Sequence, residues 1–307
     1  ICSVIKDAGD DPDVTNGSKI VAKVTLSKEP ASTPIRFVAG PGVGTVTLPG
    51  LGLEVGGPAI NATPRKMITE ELTSVLEEYR HSISHNTKTP EACTLTVTIS
   101  VPGGEELATR TFNPKLGIVG GISIIGTSGI VRPFSTDAFI ASIRKETEVA
   151  KAIGCTTLII NSGAKSERYL KARYPELPPQ AFVHYGNFIG ETLKIASLLD
   201  FPQVVMGIMI GKAVKLAEGF LDTHSKKVVM NKDFLKDLAH QACCAEDTIQ
   251  KIDTITLARE LWQLLPAEKQ EAFFNLLLKR CHEHCTPLLP KGELSILLIT
   301  EEGIIWK

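Results

Sequence analysis

The sequence predicts an α+β domain over residues 1–116, followed over residues 117–307 by an α/β domain whose mostly parallel sheet is flanked by helices. Three observations predict this. Residues 93–101 alternate apolar and polar side chains, as a half-buried antiparallel strand does. From Gly117 onward a different pattern sets in, of short apolar run, glycine loop and helix. Apolar runs such as 158–160 and 296–299 read as buried strands.

In the first domain, residues 19–26 place Ile20, Ala22, Val24 and Leu26 on one parity and read as a strand. Residues 40–64 are dense in Gly and Pro, so they are mostly turns and short strands. A helix follows over 65–80, with Ile68, Leu72, Val75, Leu76 and Tyr79 on one face. Leu95, Val97, Ile99 and Val101 then alternate with Thr94, Thr96, Thr98 and Ser100. In the second domain, residues 121–125 are a strand candidate. Ser135 is a helix cap, with Asp137 in the favourable first turn and Gly154 just past the end. Strands are expected at 156–160, 203–210 and 294–300, and helices at 187–199 and 211–220. Residues 233–285 read as helices broken near Asp247 and Pro266.

Composition narrows the classes of function. A hydrophobic fraction of 43% and a charged fraction of 22% are those of a globular protein with a sizeable core. The formal net charge of -1 gives no global basic field for nucleic acid or an anionic membrane. No apolar run reaches the roughly 18 residues of a membrane span, and no signal peptide is visible. The chain does not begin with Met, so an upstream segment is expected to be missing. The seven cysteines are odd in number and irregularly spaced, which reads as reduced thiols in a cytoplasmic protein. A homo-oligomer is left open.

Four segments carry chemistry. The first is KDAGDDPD, residues 6–13, with four carboxylates in seven residues. It is either a solvated acidic turn or a cation loop; the D-x-[DN]-x-[DN]-G calcium pattern is absent. The second is FNPKLGIVGGISIIGTSGIVRPFS, residues 112–135, in which glycines let backbone N–H groups approach a ligand. Thr127 and Ser128 can donate hydrogen bonds there, and Arg132 can fork onto a carboxylate. The spacing is not G-x-G-x-x-G, and a glycine-rich domain junction is the alternative reading. The third is GIMIGKAVKLAEGFLDTHS, residues 207–225. Its Gly207-x-x-x-Gly211-Lys212 is one residue short of a phosphate loop, and Ala213 stands where Ser or Thr should hold magnesium. Lys212 and Lys215 nonetheless lie early in a helix after a buried strand, a place to meet an anion. His224 is either structural or an acid–base group. The fourth is CHEHC, residues 281–285, read as a helix end because one helical stretch does not supply the four ligands of a zinc tetrahedron. No protein-bound metal is expected. G-x-S-x-G and H-E-x-x-H are missing.

Together these segments resemble the cobalt-precorrin-5B C1-methyltransferase family of anaerobic cobalamin biosynthesis. The matching stretches are VIKDAGDDPDVTNG (4–17), PGVGTVTLPGLG (41–52), AINATPRKMI (59–68), residues 112–135 and GKAVKLAEGFLDTHS (211–225), in the family's order and over about two-thirds of the chain. Three departures stand out. The Gly/Thr- and Ala-rich segment that usually precedes the acidic loop is lacking. Met209 stands where the family often has His. Beyond about Asp233 the resemblance fades. It implies an α+β part followed by an α/β part, and methyl transfer from S-adenosyl-L-methionine to a cobalt-containing corrin precursor as the small-molecule substrate. The product is cobalt-precorrin-6A.

Against that reaction the residues take expected roles. His224 and Asp11 are catalytic candidates. Asp10, Asp13, Gly120, Gly121, Thr127 and Ser128 are candidates for the methyl donor, and Arg132, Lys212, Lys215 and Ser225 for the macrocycle's rim carboxylates. Two rival readings are a tetrapyrrole carrier without catalysis and a nucleotide-binding oxidoreductase module; the missing G-x-G-x-x-G weighs against the second.

Overall fold

The computed structural model describes residues 1–11, 13–27, 34–83, 94–125, 135–224, 228–303 and 305–306; the side chains of 79–83 and 305 lie outside that description. The chain forms two compact units, Ile1–Thr136 and Asp137–Lys307.

In the first unit, the alternation at Thr94–Ser100 builds an inner strand. Leu95, Val97 and Ile99 are buried while Thr96, Thr98 and Ser100 are half-exposed. The strand pairs antiparallel with Lys19–Ser27 and parallel with Ile35–Ala39, and Cys2–Ile5 closes the far edge. The helix runs Ala62–Ile83. Only part of its expected face is used: Ile68 and Leu72 pack on the Val97–Ile99 core, whereas Val75 is 59% exposed. The strand expected at 19–26 forms, but its expected apolar face holds only for Ile20 and Ala22, which pack on that core; Val24 and Leu26 are exposed.

Residues 117–122, expected to open the second domain, belong to the first unit. Ile118–Val119 pairs antiparallel with Thr45–Val46, and Gly121–Ile122 pairs parallel with Gly42–Val43. The short strands bury Val43, Val46, Ile118 and Ile122. The division therefore falls after Thr136 and not at Leu116. The strand expected at 121–125 is shorter, continued only by an Ile60–Ile124 bridge.

The second unit is a layered α/β fold. Its sheet order is Phe182–His184, Thr157–Asn161, Gln203–Met209, Glu293–Ile299 and Ile305–Trp306; the first four strands are parallel and the last is antiparallel. Both faces are covered, so neighbouring residues serve different cores. Leu158, Ile160, Val204, Met206, Ile296 and Leu298 join one core. Ile159, Val205, Leu297 and Ile299 join another, with Leu170. Such two-sided burial gives the unbroken apolar runs of the sequence. The broken helical stretch resolves into Lys232–Gln241, Glu246–Lys251, Leu261–Leu264 and Ala267–Cys285.

From Thr157–Asn161 the chain passes to Phe182–His184 on one side, then crosses to Gln203–Met209 on the other. The direction of winding reverses between Thr157–Asn161 and Gln203–Met209. In open α/β sheets the crevice outside the strands' carboxyl ends at such a reversal is where ligands bind.

Candidate functional site

The Ile210–Ala217 helix starts directly after the Gln203–Met209 strand. Its alternation of buried Ala213, Val214, Leu216 and Ala217 with half-buried Lys212 and Lys215 anchors one face and leaves both lysines at the carboxyl ends of the strands. Lys212 Nζ donates to Gly186 O at 2.8 Å and to Asn187 Oδ1. Lys215 Nζ donates to Thr223 O at 3.4 Å. The two accepting segments are tied together, since Thr223 N donates to Asn187 O at 3.0 Å and Phe188 bridges to Asp222. His224 follows, its backbone N–H donating to Asp222 Oδ1 at 3.2 Å.

The loop that receives Lys212 is itself fixed. Tyr185 is fully buried, its N–H donating to Asn161 O at 2.8 Å and its hydroxyl to Gly207 O at 3.2 Å. Gly186 has φ +56°, and a Cβ there would lie 2.8 Å from the Phe139 ring. Phe139 in turn packs on Phe188 with ring centroids 5.6 Å apart. The resulting surface joins two aromatic rings to two lysines, an apolar wall beside cationic groups.

The electrostatics follow from this crowding. Partial burial, and then the Lys215 charge, bring the Lys212 ammonium down to about 8; the Asp222 carboxylate only partly offsets them. A cation at the positive end of a helix adds to the effect.

Other expected site residues are placed differently. In the acidic loop, Asp13 forms an ion pair with Lys6, and its Oδ1 accepts from Thr15 N and Thr15 Oγ1, both at 2.7 Å. Burial pushes the Asp13 carboxyl up, but the Lys6 and Thr15 hydrogen bonds outweigh it and hold the carboxyl below its usual range. Asp13 is thus already engaged within the turn. Asp10 is exposed and Asp11 half-buried. Gly120 is exposed with open space at its Cβ position, whereas Gly121 is buried against the Gly42 backbone. Thr127, Ser128, Arg132 and Ser225 lie outside the described residues. Cys281 and Cys285 face the core, where Cys281 Sγ donates to Ala213 O at 3.4 Å. Burial pushes both thiols up, Cys285 to about 12. No cluster of three or more His, Cys, Asp or Glu side chains suited to a metal ion occurs among the described residues.

Two features escaped sequence reasoning. His184 Nε2 lies 2.7 Å from Glu167 Oε2, a half-buried pair at the carboxyl end of the Phe182–His184 strand. Asn187 receives Lys212 across 25 residues of sequence. A polar residue closing a short apolar run, as in Phe182-Val183-His184, was the available signal for the first.

The fold is that of a mixed α/β protein, with a candidate small-molecule site at the carboxyl edge of its parallel sheet. The CbiD family model matches residues 1–133, and that of the CbiD C-terminal domain matches residues 222–307. The cobalt-precorrin-5B C(1)-methyltransferase of Prosthecochloris aestuarii is 43% identical over 306 residues, covering 99% of this chain and 80% of its own. That of Geobacillus sp. (strain WCH70) is 43% identical over 279 residues, 91% of this chain and 73% of its own. The crystal structure of the cobalamin biosynthesis protein (cbiD) from Archaeoglobus fulgidus shares 27% identity, covers 73% of this chain and 65% of that one, and has a TM-score of 0.32. The chain belongs to the CbiD family of cobalt-precorrin-5B C(1)-methyltransferases. The likeness does not fade beyond Asp233: residues 222–307 match the C-terminal domain, even though they hold few of the glycine-rich words by which the family is read.

Proposed function

We propose that the protein transfers the methyl group of S-adenosyl-L-methionine to C1 of cobalt-precorrin-5B, giving cobalt-precorrin-6A in anaerobic cobalamin synthesis. The observation that carries this reading is 43% identity along 99% of the chain to a relative bearing that activity as its name. The Lys212 site supports it chemically. A corrin precursor is wide, flat and rimmed with carboxylates. Phe139 and Phe188 offer it an apolar wall. Lys212 and Lys215 are proposed to meet its rim. Arg132, outside the described residues, is a further candidate for those carboxylates.

The chemistry asks for little beyond placement. A methyl on a sulfonium is already activated, and the electron-rich macrocycle supplies the carbon nucleophile. Holding sulfur, methyl and carbon in line provides most of the acceleration. Asp10, Asp11 and Asp13 are the candidates for the donor's hydroxyl and amino groups; Asp11 is the one we favour, being half-buried with a carboxylate that accepts no hydrogen bond from the described residues, whereas Asp13 is engaged by Lys6 and Thr15. Gly120, Thr127 and Ser128 are proposed for its backbone approach, and Ser225 for the macrocycle's rim. The soluble, cytoplasmic setting of the reading agrees with the lack, among the described residues, of any helix long and apolar enough to cross a membrane.

Anaerobic incubation with S-adenosyl-L-methionine and cobalt-precorrin-5B tests the proposal. Equal amounts of S-adenosylhomocysteine and methylated macrocycle are expected. A chain that binds the macrocycle yet releases no S-adenosylhomocysteine is a carrier, and the reading is then wrong.

A further inference from the structure

We propose that Asn187 is a substrate-binding residue: its Nδ2 donates to the rim carboxylate that Lys212 neutralises, while its Oδ1 holds the Lys212 ammonium in place. This role deepens the methyltransferase reading above and rests on it.

A side-chain amide carries an acceptor and a two-hydrogen donor on one planar group. In Asn187 the acceptor is taken, since Oδ1 receives Lys212 Nζ. Nδ2 enters no hydrogen bond among the described residues, and Asn187 is only half-buried. The Lys212 ammonium has three N–H groups. Two go to Gly186 O at 2.8 Å and to Asn187 Oδ1, and both acceptors are uncharged. The third N–H and the positive charge are left for a ligand. Oδ1 and Nδ2 are bonded to the same carbon, so a second donor stands beside that ammonium. A carboxylate has two oxygens for the two donors.

Other cations at this sheet edge are closed off within the protein. Glu167 takes both His184, at 2.7 Å, and Lys171, at 3.0 Å. Lys165 pairs with Glu301. Lys212 instead rests on an amide and a carbonyl. An aspartate at 187 would hold it equally well, but would cancel its charge and put a carboxylate oxygen where Nδ2 stands. The seat is built into the backbone. Asn187 O accepts from Thr223 N at 3.0 Å, Gly190 N donates to Leu221 O at 3.2 Å, and Phe139 lies against Gly186. None of these ties uses the Asn187 side chain. Beside Lys212, Gly211 is exposed with nothing within 4 Å of its Cβ position, so a ring edge can approach the backbone there.

Two carboxylates enter the reaction, those of the macrocycle rim and that of the methyl donor. The rim is favoured because the seat adjoins the Phe139–Phe188 wall.

Asn187→Asp keeps the side chain's size and its Oδ1 acceptor. Calorimetry of the full chain uses three probes: cobyrinic acid, a corrin rimmed with carboxylates; cobinamide, a corrin rimmed with amides; and S-adenosylhomocysteine. The substitution should weaken cobyrinic acid binding by about 30-fold, the scale of a lost hydrogen bond to a charged group. Cobinamide and S-adenosylhomocysteine affinities should each change by less than about threefold. Asn187→Ala gives the same contrast, at about tenfold, should the aspartate variant not fold. Equal losses for the two corrins mark a structural residue and overturn the role, as does unchanged affinity for cobyrinic acid. A loss confined to S-adenosylhomocysteine gives the seat to the donor and overturns it too. So does a wild-type chain that binds cobinamide as tightly as cobyrinic acid. In each of these cases methyl transfer itself still stands. A wild-type chain that forms no S-adenosylhomocysteine from S-adenosyl-L-methionine and cobalt-precorrin-5B overturns the methyltransferase reading and this role with it.

Discussion

Gly121→Ala separates two explanations of the glycine-rich stretch, a ligand loop and a packing joint. Gly121 pairs in parallel with Gly42 and is buried. A Cβ built on it lies 2.4 Å from both Gly42 C and Gly42 O, and 2.6 Å from Val43 C. These are backbone atoms, so no rotamer change relieves the contact. Gly42 cannot retreat, because its own Cβ position is 1.7 Å from Val101 O. The strands must part by about 1 Å to restore van der Waals distance. Parting stretches the Gly44 N to Ile122 O and Ile124 N to Ala59 O hydrogen bonds, each 2.8 Å, and loosens buried Val43 and Ile122. Overpacking of about 2 kcal/mol plus about 1 kcal/mol for a weakened buried hydrogen bond gives about 3 kcal/mol. Gly120→Ala is the control. Its position has φ +80° and nothing within 4 Å, so only the left-handed backbone penalty of about 1 kcal/mol applies. Both tryptophans, Trp262 and Trp306, lie in the second unit, so fluorescence is a poor reporter of the first. Hydrogen exchange of the Thr94–Ser100 strand reads it directly. Gly121→Ala should accelerate exchange of its slowest amides by about 100-fold or more, and Gly120→Ala by about fivefold. Equal effects of the two substitutions would refute the packing account of Gly121.

Other predictions follow from charge and burial. The Asp13 carboxyl titrates lower in the folded chain than its ordinary 3.8, so its contribution to stability is present above that value and is lost as pH falls through the folded value; Lys6→Met should flatten this acid limb in urea unfolding between pH 5 and about 2. Lys212 has a linkage of the same sign in a higher pH window. Its ammonium is disfavoured in the fold, so the unfolded chain binds more protons and stability should rise with pH from about 8 to 10.5. Lys212→Met should therefore stabilise the protein by about 1–2 kcal/mol at pH 7, a figure discounted for the side chain's partial exposure and readable as a higher Tm. Chelator treatment should leave Tm unchanged, given that Cys281 and Cys285 face the core; a drop of several degrees would place a structural metal in the fold.

The sequence was most readable where burial is two-sided. Leu158–Ile160 and Ile296–Ile299 announced central parallel strands because every side chain along them is enclosed. Phe182–His184, with three residues, and the polar helix Ala164–Arg173, which buries only Ser166 and Leu170, were too weakly patterned to see. The boundary between units was misplaced because the glycine-rich run at 117–122 looks like the start of a βα repeat, while its pairing partners lie some 70 residues upstream, as in the Thr47 Oγ1 to Gly117 O hydrogen bond. At the site, Lys212 and Lys215 were legible from their place after a buried strand. Gly186, Asn187 and Phe139 were not, since only the reversal of strand order brings those segments to the same edge.

Methyl transfer to C1 is tested most directly by one measurement. A single turnover with donor carrying a 13C-enriched methyl, followed by NMR of the isolated macrocycle, locates the new carbon. One enriched methyl, bonded to C1, is expected. Enrichment at another ring carbon, or a macrocycle recovered without label, would contradict it.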